Sequence, residues 1–433
     1  MPGTTRYDPD NVIEADTGRK ELDERQRADR LAWEYYEGKH KKHLKVRQGE
    51  FDDNVTINLF KQNVDRTVSF MGNKFPQLEI DQAKETEDEQ WLRTAWRKNQ
   101  GTRLLMNLVK SGCISGHCYV KVMPPVTGAE YPRLAALNPS NMLVWWHEAD
   151  VETVLYYQLF AGRIRQDIVR VEGGGWIIRE FEKRMDGAKY ELRLEEEWPW
   201  PIGPIVDWQH LLRPARYYGQ SEADGLALND AVNKARSDTS RILRFHASPR
   251  TVATGVESGQ AMADSAIDTM YTIANENAKV YNLEMLSDLT SLSAHAEALA
   301  AAYLAQARVV ILKGDVADFQ RVTNLGMRAL FIDMLAKIDE LRLTYEDGIA
   351  RASQVALMLG GKEYDVDVTC HWADPLPVDP REKAQVLELQ RQMGVVSQET
   401  AAREMGRDWE LEQQRMAGDL DMAAETAQRM LQQ

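Results

Sequence analysis

Two stretches decide the fold: residues 219–246, GQSEADGLALNDAVNKARSDTSRILRFH, and residues 291–310, SLSAHAEALAAAYLAQARVV. In the first, Ser221 is suited to cap a helix, and Glu222 and Asp224 complement the positive end of its dipole. Leu228, Ala231, Val232, Ala235 and Ile242 recur at helical spacing but form only a thin apolar stripe. A helix of this length is a rod of roughly 37 Å, stopped at Ser248-Pro249. The second stretch is an alanine-rich helix whose small side chains permit close lateral packing. Neither rod has a face broad enough for a core of its own, so both suit an assembly in which neighbours cover them.

Between the rods, residues 250–286 are mixed and rich in Gly, Ser and Asp, as expected of a small separate module. Beyond them, LKGDVADFQRVT at 312–323 breaks the helical pattern and carries the donors Lys313, Gln320 and Arg321; an ordinary interhelical loop is the alternative reading. A long helix is expected from Asn324 to Leu359, with Met327, Leu330, Phe331, Met334, Ile338 and Leu341 on one face. Gly360-Gly361 reads as its stop. One strand, Tyr364–His371, and a set of short charged helices over 381–433, broken at Gly394 and Gly406, complete the chain.

On the amino-terminal side, helices are expected over 19–37, 55–73 and 87–112. From Cys118 to Trp208 the period changes. Tyr119–Met123, Arg133–Leu137, Met142–His147, Val154–Phe160, Ile164–Val171, Trp176–Phe181 and Tyr190–Leu194 are short β-branched and aromatic runs, punctuated by Pro124-Pro125, Asn138-Pro139, Gly173-Gly174-Gly175 and Asp186-Gly187. That is a meander of antiparallel strands. The fold class is therefore α+β, mainly helical.

Composition narrows the function. The net charge of -14 argues against a chain that grips nucleic acid through a general basic surface, though a conduit for sliding DNA gains from not holding phosphates. No apolar run approaches the roughly 18–20 residues that span a bilayer, and MPGTTRYDPDNVIEAD lacks the apolar centre of a signal peptide. Cys113, Cys118 and Cys370 cannot frame a disulfide scaffold in a chain of this size, which points to a reducing compartment.

No motif supports catalysis. Gly360-Gly361-Lys362 is followed by Glu363 and lacks the upstream glycine of a phosphate-binding loop. Cys113-x4-Cys118 with His117 has the wrong spacing for a zinc pair, so His117 reads as core, and Cys370-His371 as a strand end. The basic cluster Lys39–Lys45 reads as a solvated helix end. Glu195-Glu196-Glu197 lie in a polar hairpin with no partner in view. No cofactor, metal or catalytic residue is expected, and the chain reads as a non-enzyme.

The order of parts resembles the portal proteins of tailed phages. The resemblance runs from Tyr35-Tyr36-x-Gly38 to about Met422. Gly219-Gln220-Ser221-x-x-x-Gly225-Leu226, with Asn229 and Asn233, looks like the family's entry into its first stem helix. His246-Ala247-Ser248-Pro249 looks like the exit into the clip. Gly314-Asp315-Val316 through Gly326-Met327-Arg328-Ala329-Leu330 is similar to the region of a tunnel loop and long helix, although Leu325-Gly326-Met327 departs from the Ser-Gly-x-Ala-Leu pattern of many members. His371-Trp372-x-Asp374-Pro375-Leu376-Pro377, then Gly394-Val395-Val396-Ser397-x-Glu399-Thr400 and Gly406-x-Asp408, resemble the carboxy-terminal region.

This resemblance implies a portal fold assembled as a ring, usually a dodecamer, at one capsid vertex of the virion. The wing would be residues 1–218 with 325–370, and the stem 219–246 with 288–310. The clip would be 247–287, the tunnel loop 311–324 and the crown 371–433. Double-stranded DNA would pass without sequence specificity. The implied partners are other copies of the chain, the terminase large subunit, head-completion or adaptor proteins, and the major capsid or scaffold protein; no membrane is implied. Lys313, Asp315, Gln320 and Arg321 would stand in the tunnel loop, and Asn229, Asn233, Arg236 and Arg241 on the stem. The alternatives are another phage assembly protein or a metal-dependent nuclease with scattered carboxylates. The chain would be made in the bacterial cytoplasm.

Overall fold

The computed structural model describes residues 2–3, 12–46, 48–49, 51–80, 86–147, 149–171, 173–184, 190–247, 250–254, 279–283, 289–311, 324–376, 380–407, 409, 412–413 and 415–417. It holds two compact units, Met1–Val322 with Gly326–Ala373, and Thr323–Leu325 with Asp374–Gln433. Half of the chain is helical and about a fifth lies in strands, so the α+β, mainly helical class holds.

The first unit is organised around four helices and a small sheet. Helices α1 (Val12–Tyr36), α2 (Leu59–Gly72), α3 (Glu87–Lys98) and α4 (Gly101–Ser115) are joined to the sheet by a tight stop at Gly116. Strands β3 (His117–Met123), β4 (Arg133–Leu137) and β10 (Ile205–Gln209) pair antiparallel in the order β10-β3-β4. On α4, Leu104, Leu105, Leu108, Val109 and Cys113 keep the spacing of one helical face and are buried with Val120, Val122 and Val206. Trp208 lies against a helix backbone at Gly348, where an added Cβ would meet the indole at 2.2 Å.

A second sheet carries the meander. Strands β5 (Met142–His147), β6 (Asp150–Ala161), β7 (Ile164–Arg170), β8 (Trp176–Lys183) and β9 (Tyr190–Trp198) follow one another antiparallel, and β1 (Pro2–Gly3) adds to β5 in parallel. Two further strands, β2 (Gln77–Glu79) and β13 (Thr369–His371), form their own pair.

The helices after the sheets are α5 (Leu226–Ala247), α6 (Leu289–Gln306), α7 (Asn324–Leu330) and α8 (Ile332–Leu359). Strands β11 (Arg250–Thr254) and β12 (Lys279–Leu283) pair antiparallel between α5 and α6. In the second unit, α9 (Pro380–Gln392) and α10 (Gln398–Glu404) are separated at Gly394, and Gly406 follows α10; both glycines have positive φ. Among the described residues no helix is long and apolar enough to cross a membrane.

Five expectations are corrected. The helix expected over 87–112 is two, because Asn99 breaks it: its amide donates to Ala95 O and Pro132 O (both 2.9 Å), its oxygen accepts from Leu134 N, and Gln100 turns left-handed at φ 54°. The helix expected over 324–359 is interrupted at Phe331, whose ring packs on Phe70 with centroids 5.6 Å apart. The first two runs of the expected meander leave it, because the unforeseen strand β10 pairs with β3. Glu195-Glu196-Glu197, read as a polar hairpin with no partner in view, lie in strand β9, where Glu195 meets Arg179 at 2.7 Å. The strand expected over Tyr364–His371 shrinks to Thr369–His371, the length that pairs with β2.

Candidate functional site

The root of the paired helices α5 and α6 gathers most of the buried polar chemistry of the first unit. Ser221 accepts a hydrogen bond from Ala223 N at 3.3 Å and opens a 3-10 turn, Glu222–Gly225, that leads into α5. Gly225 lets α6 approach, since a Cβ there would sit 2.7 Å from the Tyr303 ring. Val232, Tyr303 and Leu59 form a small core at this crossing, with Leu228, Leu299 and Leu304 packed against it.

Along α5, polar side chains four residues apart hold an extended strap, residues 53–58. The Asn229 oxygen accepts from Leu59 N (3.0 Å) and Phe60 N (3.1 Å), and its amide donates to Ile57 O (2.9 Å). The Asn233 oxygen accepts from Ile57 N (2.8 Å), and the Ser237 hydroxyl accepts from Val55 N (2.9 Å). One turn further, Arg241 approaches Asp53 at 3.8 Å, and Arg244 meets the same carboxylate at 2.5 Å. The strap lacks a strand partner for these amides, and α5 supplies side-chain acceptors instead. Two of the satisfied donors are the otherwise orphaned first amides of α2.

On the first rod, Asn229 and Asn233 are fully buried inside the subunit and committed to the strap. Arg236 reaches Glu297 of α6 at 4.0 Å, and Arg241 serves Asp53. Lys313, Asp315, Gln320 and Arg321 lie outside the described residues, as does 255–278 of the expected clip.

Below the strap, Lys337 is buried at 1% exposure in the apolar face of α8. Its ammonium ion-pairs with Glu222 and donates to Asn63 Oδ1 (3.2 Å), Thr67 Oγ1 (3.1 Å) and Ala307 O (3.1 Å). Burial alone would raise the Glu222 carboxyl, yet Lys337 and then His210 outweigh it and hold it down at about 2. Glu222 was expected to serve the α5 dipole; its larger role is to bind α8 to the entry of α5. Lys337 also grips the end of α6 through Ala307 O. Arg308, left-handed at φ 53°, pairs with Glu340 at 2.9 Å, and Arg66 donates to Val310 O at 3.0 Å. The chain is thus tethered at three points as it leaves α6 toward 312–323.

Cys113 Sγ and ligand atoms of His210 and Glu222 lie within 4.8 Å of one another. The charge of Glu222 is already balanced by Lys337, and burial pushes His210 down and the Cys113 thiol well up, so the group works as a brace rather than as a nucleophile. The Cys113, His117 and Cys118 set of the sequence is not assembled. Cys118 Sγ meets the Tyr345 hydroxyl at 3.2 Å, while His117 Nε2 meets Asp207 at 2.9 Å.

Asp207 is a second buried charge, at the wall of a cavity of about 1040 Å³. Tyr157 and Tyr217 donate to it at 2.6 and 2.7 Å. Burial would raise its carboxyl, but His117, Arg351 and Tyr157 hold it at about 2. The basic cluster Lys39–Lys45, read as a solvated helix end, follows α1 as an irregular segment, with Lys42 on Asp52 and the His43 and Leu44 amides on Asn54. Sequence reading missed Lys337 and Ser237. The signal for Lys337 was a lone cation between Met334, Ile338 and Leu341; for Ser237 it was the four-residue spacing from Asn229 and Asn233.

Comparison with known proteins adds the following. The family model "Phage portal protein, SPP1 Gp6-like" matches residues 19–170 and 223–426. No curated protein matches. Similar solved structures include the neck of an empty GTA particle computed with C6 symmetry, 18% identical, covering 81% of this chain and 90% of that one at a TM-score of 0.48. The neck of a native GTA particle computed with C12 symmetry is 16% identical, with 81% and 90% coverage and a TM-score of 0.45. The virion of a native gene transfer agent particle is 14% identical, with 85% and 96% coverage and a TM-score of 0.43.

Proposed function

Because the chain belongs to the SPP1 Gp6-like family of phage portal proteins, we propose that it closes into a dodecameric ring at one capsid vertex and forms the channel through which DNA enters and leaves. The observation that carries this reading is the surface of α6. Ala294, Ala298, Ala301, Ala302 and Ala305 are exposed along one side of an eighteen-residue helix, and only Ala296 and Tyr303 among its described side chains are buried. A helix so little used inside its own subunit is suited to a neighbour's approach in a ring closed by a heterologous contact.

In this reading residues 219–246 and 288–310 are the stem and 247–287 the clip. The tunnel loop is 311–324, the wing 1–218 with 325–370, and the crown 371–433. The clip docks the terminase large subunit and later the head-completion or adaptor proteins, while the outer surface meets the capsid or scaffold protein. The chain is made in the host cytoplasm and works in the virion. The family is structural, and the tethers at Ala307, Arg308 and Val310 fit a loop whose starting point is fixed. Lys313 and Arg321 then engage DNA phosphates at one level of an otherwise acidic conduit. Charge reversal at both positions is expected to alter packaging or retention of DNA with rings intact; unchanged packaging contradicts that role.

Negative-stain imaging of the purified protein tests the reading as a whole. Annular particles with an open centre are the expected result. A monomer at every concentration, together with metal-dependent cleavage of plasmid DNA, would overturn it in favour of a nuclease.

A further inference from the structure

The first unit carries two surfaces that complement each other, each with exposed side chains. One is a groove of about 760 Å³ between β2, α3 and the start of α4. Phe75, Leu78 and Trp96 form its apolar floor, and Arg93, Arg97 and Arg103 rim it. Among the described residues no carboxylate lines it, in a chain of net charge -14. Arg93 is held by Glu89 at 2.5 Å and by Leu78 O, whereas Arg97 and Arg103 are exposed. The groove's corner is the α3–α4 break, where Gln100 is held left-handed although it is not glycine.

The other surface is β9. It is the last strand of its sheet, so among the described residues its outer edge has no strand partner. Leu192 and Leu194 are 53% and 44% exposed on it. Glu191 and Glu195 pair with Arg184 and Arg179, while Glu196 and Glu197 are exposed beside them. An exposed edge strand with apolar side chains is normally blunted or covered, because it otherwise recruits unwanted partners. Among the described residues no strand covers this one.

We infer that β9 of one copy docks in the arginine-rimmed groove of the next, with Leu192 and Leu194 against Phe75 and Trp96, and Glu196 and Glu197 against Arg97 and Arg103. The inference rests on the ring reading above and names one of its contacts. Two different patches on one chain make a head-to-tail contact, which repeats around a ring rather than stopping at a dimer. Charge complementarity at its rim sets register and favours the right neighbour. The edge of β2 facing α3 is occupied by Arg93 on Leu78 O and by Glu89 on Ile80 N, so docking proceeds through side chains and not by strand addition.

Cysteine cross-linking in the full chain tests this directly. The native Cys113, Cys118 and Cys370 are buried, so Thr102→Cys with Leu194→Cys supplies the accessible pair. Assembled rings of this variant should give a ladder of covalent oligomers with a short bifunctional reagent. In parallel, Arg97→Glu with Arg103→Glu should lower the ring fraction by about tenfold or more, and adding Glu196→Arg with Glu197→Arg should restore it. Rings that form normally but give no ladder, and that ignore the charge reversal, overturn this contact and leave the ring standing. A wild-type chain that never forms rings overturns the ring reading itself.

Discussion

Helices α8 and α6 have opposite fates: α8 carries eight charged residues and is largely buried, whereas α6 carries one, Glu297, and is largely exposed. Over its twenty-eight residues α8 buries fourteen, from Met334 to Met358, against α2, α3 and the β10-β3-β4 sheet. Over eighteen residues α6 leaves five of its seven alanines in solvent. The difference lies in what each meets, not in hydropathy. α8 meets large groups that enclose it, such as Trp96 and Trp208. α6 meets α5, the start of α2 and the end of the strap. α8 is complete inside the subunit; in the proposed ring, a neighbouring copy would complete α6.

The sharpest way to break the contrast is to damage α8 where it holds the root of α6. Lys337→Met leaves the buried Glu222 charge unpaired and should cost about 3–5 kcal/mol in urea unfolding. Adding Glu222→Gln should recover much of that loss, since neither charge is then left alone. If the single substitution proves nearly neutral, the brace is not what joins the two helices.

Acid provides a second probe of the same interior. Glu222 and Asp207 both titrate near 2 in the folded chain, below their unfolded values of 4.5 and 3.8. A depressed pKa means that the unfolded chain binds more protons, so the stabilisation is fully present above about pH 5 and is lost as pH falls toward 2. Asp207→Asn should remove on the order of 2 kcal/mol at pH 7 and flatten the fall in unfolding midpoint between pH 5 and 3. An unchanged acid slope would place the acid sensitivity elsewhere.

The strap gives a smaller effect. Asn229→Ala strands the Leu59 and Phe60 amides and should cost about 1–3 kcal/mol, with faster hydrogen exchange at those two amides. Arg236→Ala, whose pairing with Glu297 is half exposed, should stay within about 0.5 kcal/mol. Equal losses at both positions would remove the distinction between the anchored and the open side of α5.

Much of this was legible beforehand, and the gaps have physical causes. The two rods were readable from a narrow stripe and an alanine run, and seven of the strands, β3 to β9, from β-branched and aromatic runs between turn residues. The side chains that fill α5's polar face were visible as Asn229 and Asn233. Their partner was not, because an extended strap at 53–58 carries no periodicity. The Glu222–Lys337 pair spans distant segments, and only a cation on an apolar face hinted at it. The break at Asn99 depends on a loop carbonyl at Pro132, which helix propensity cannot register. Strand β10 was missed because Ile205–Gln209 is short and has no alternation of its own.

The claim that α6 is finished by its neighbours is tested most directly by placing a single reporter on its open side. Ala298→Cys, exposed in the subunit among buried native cysteines, should leave stability within about 0.5 kcal/mol of wild type. Thiol labelling is then timed in separated monomer and ring fractions. The account predicts rapid reaction in the monomer and strongly slowed reaction in the ring. Equal rates in the two fractions would mean that α6 stays open after assembly, and that the ring is built on another surface.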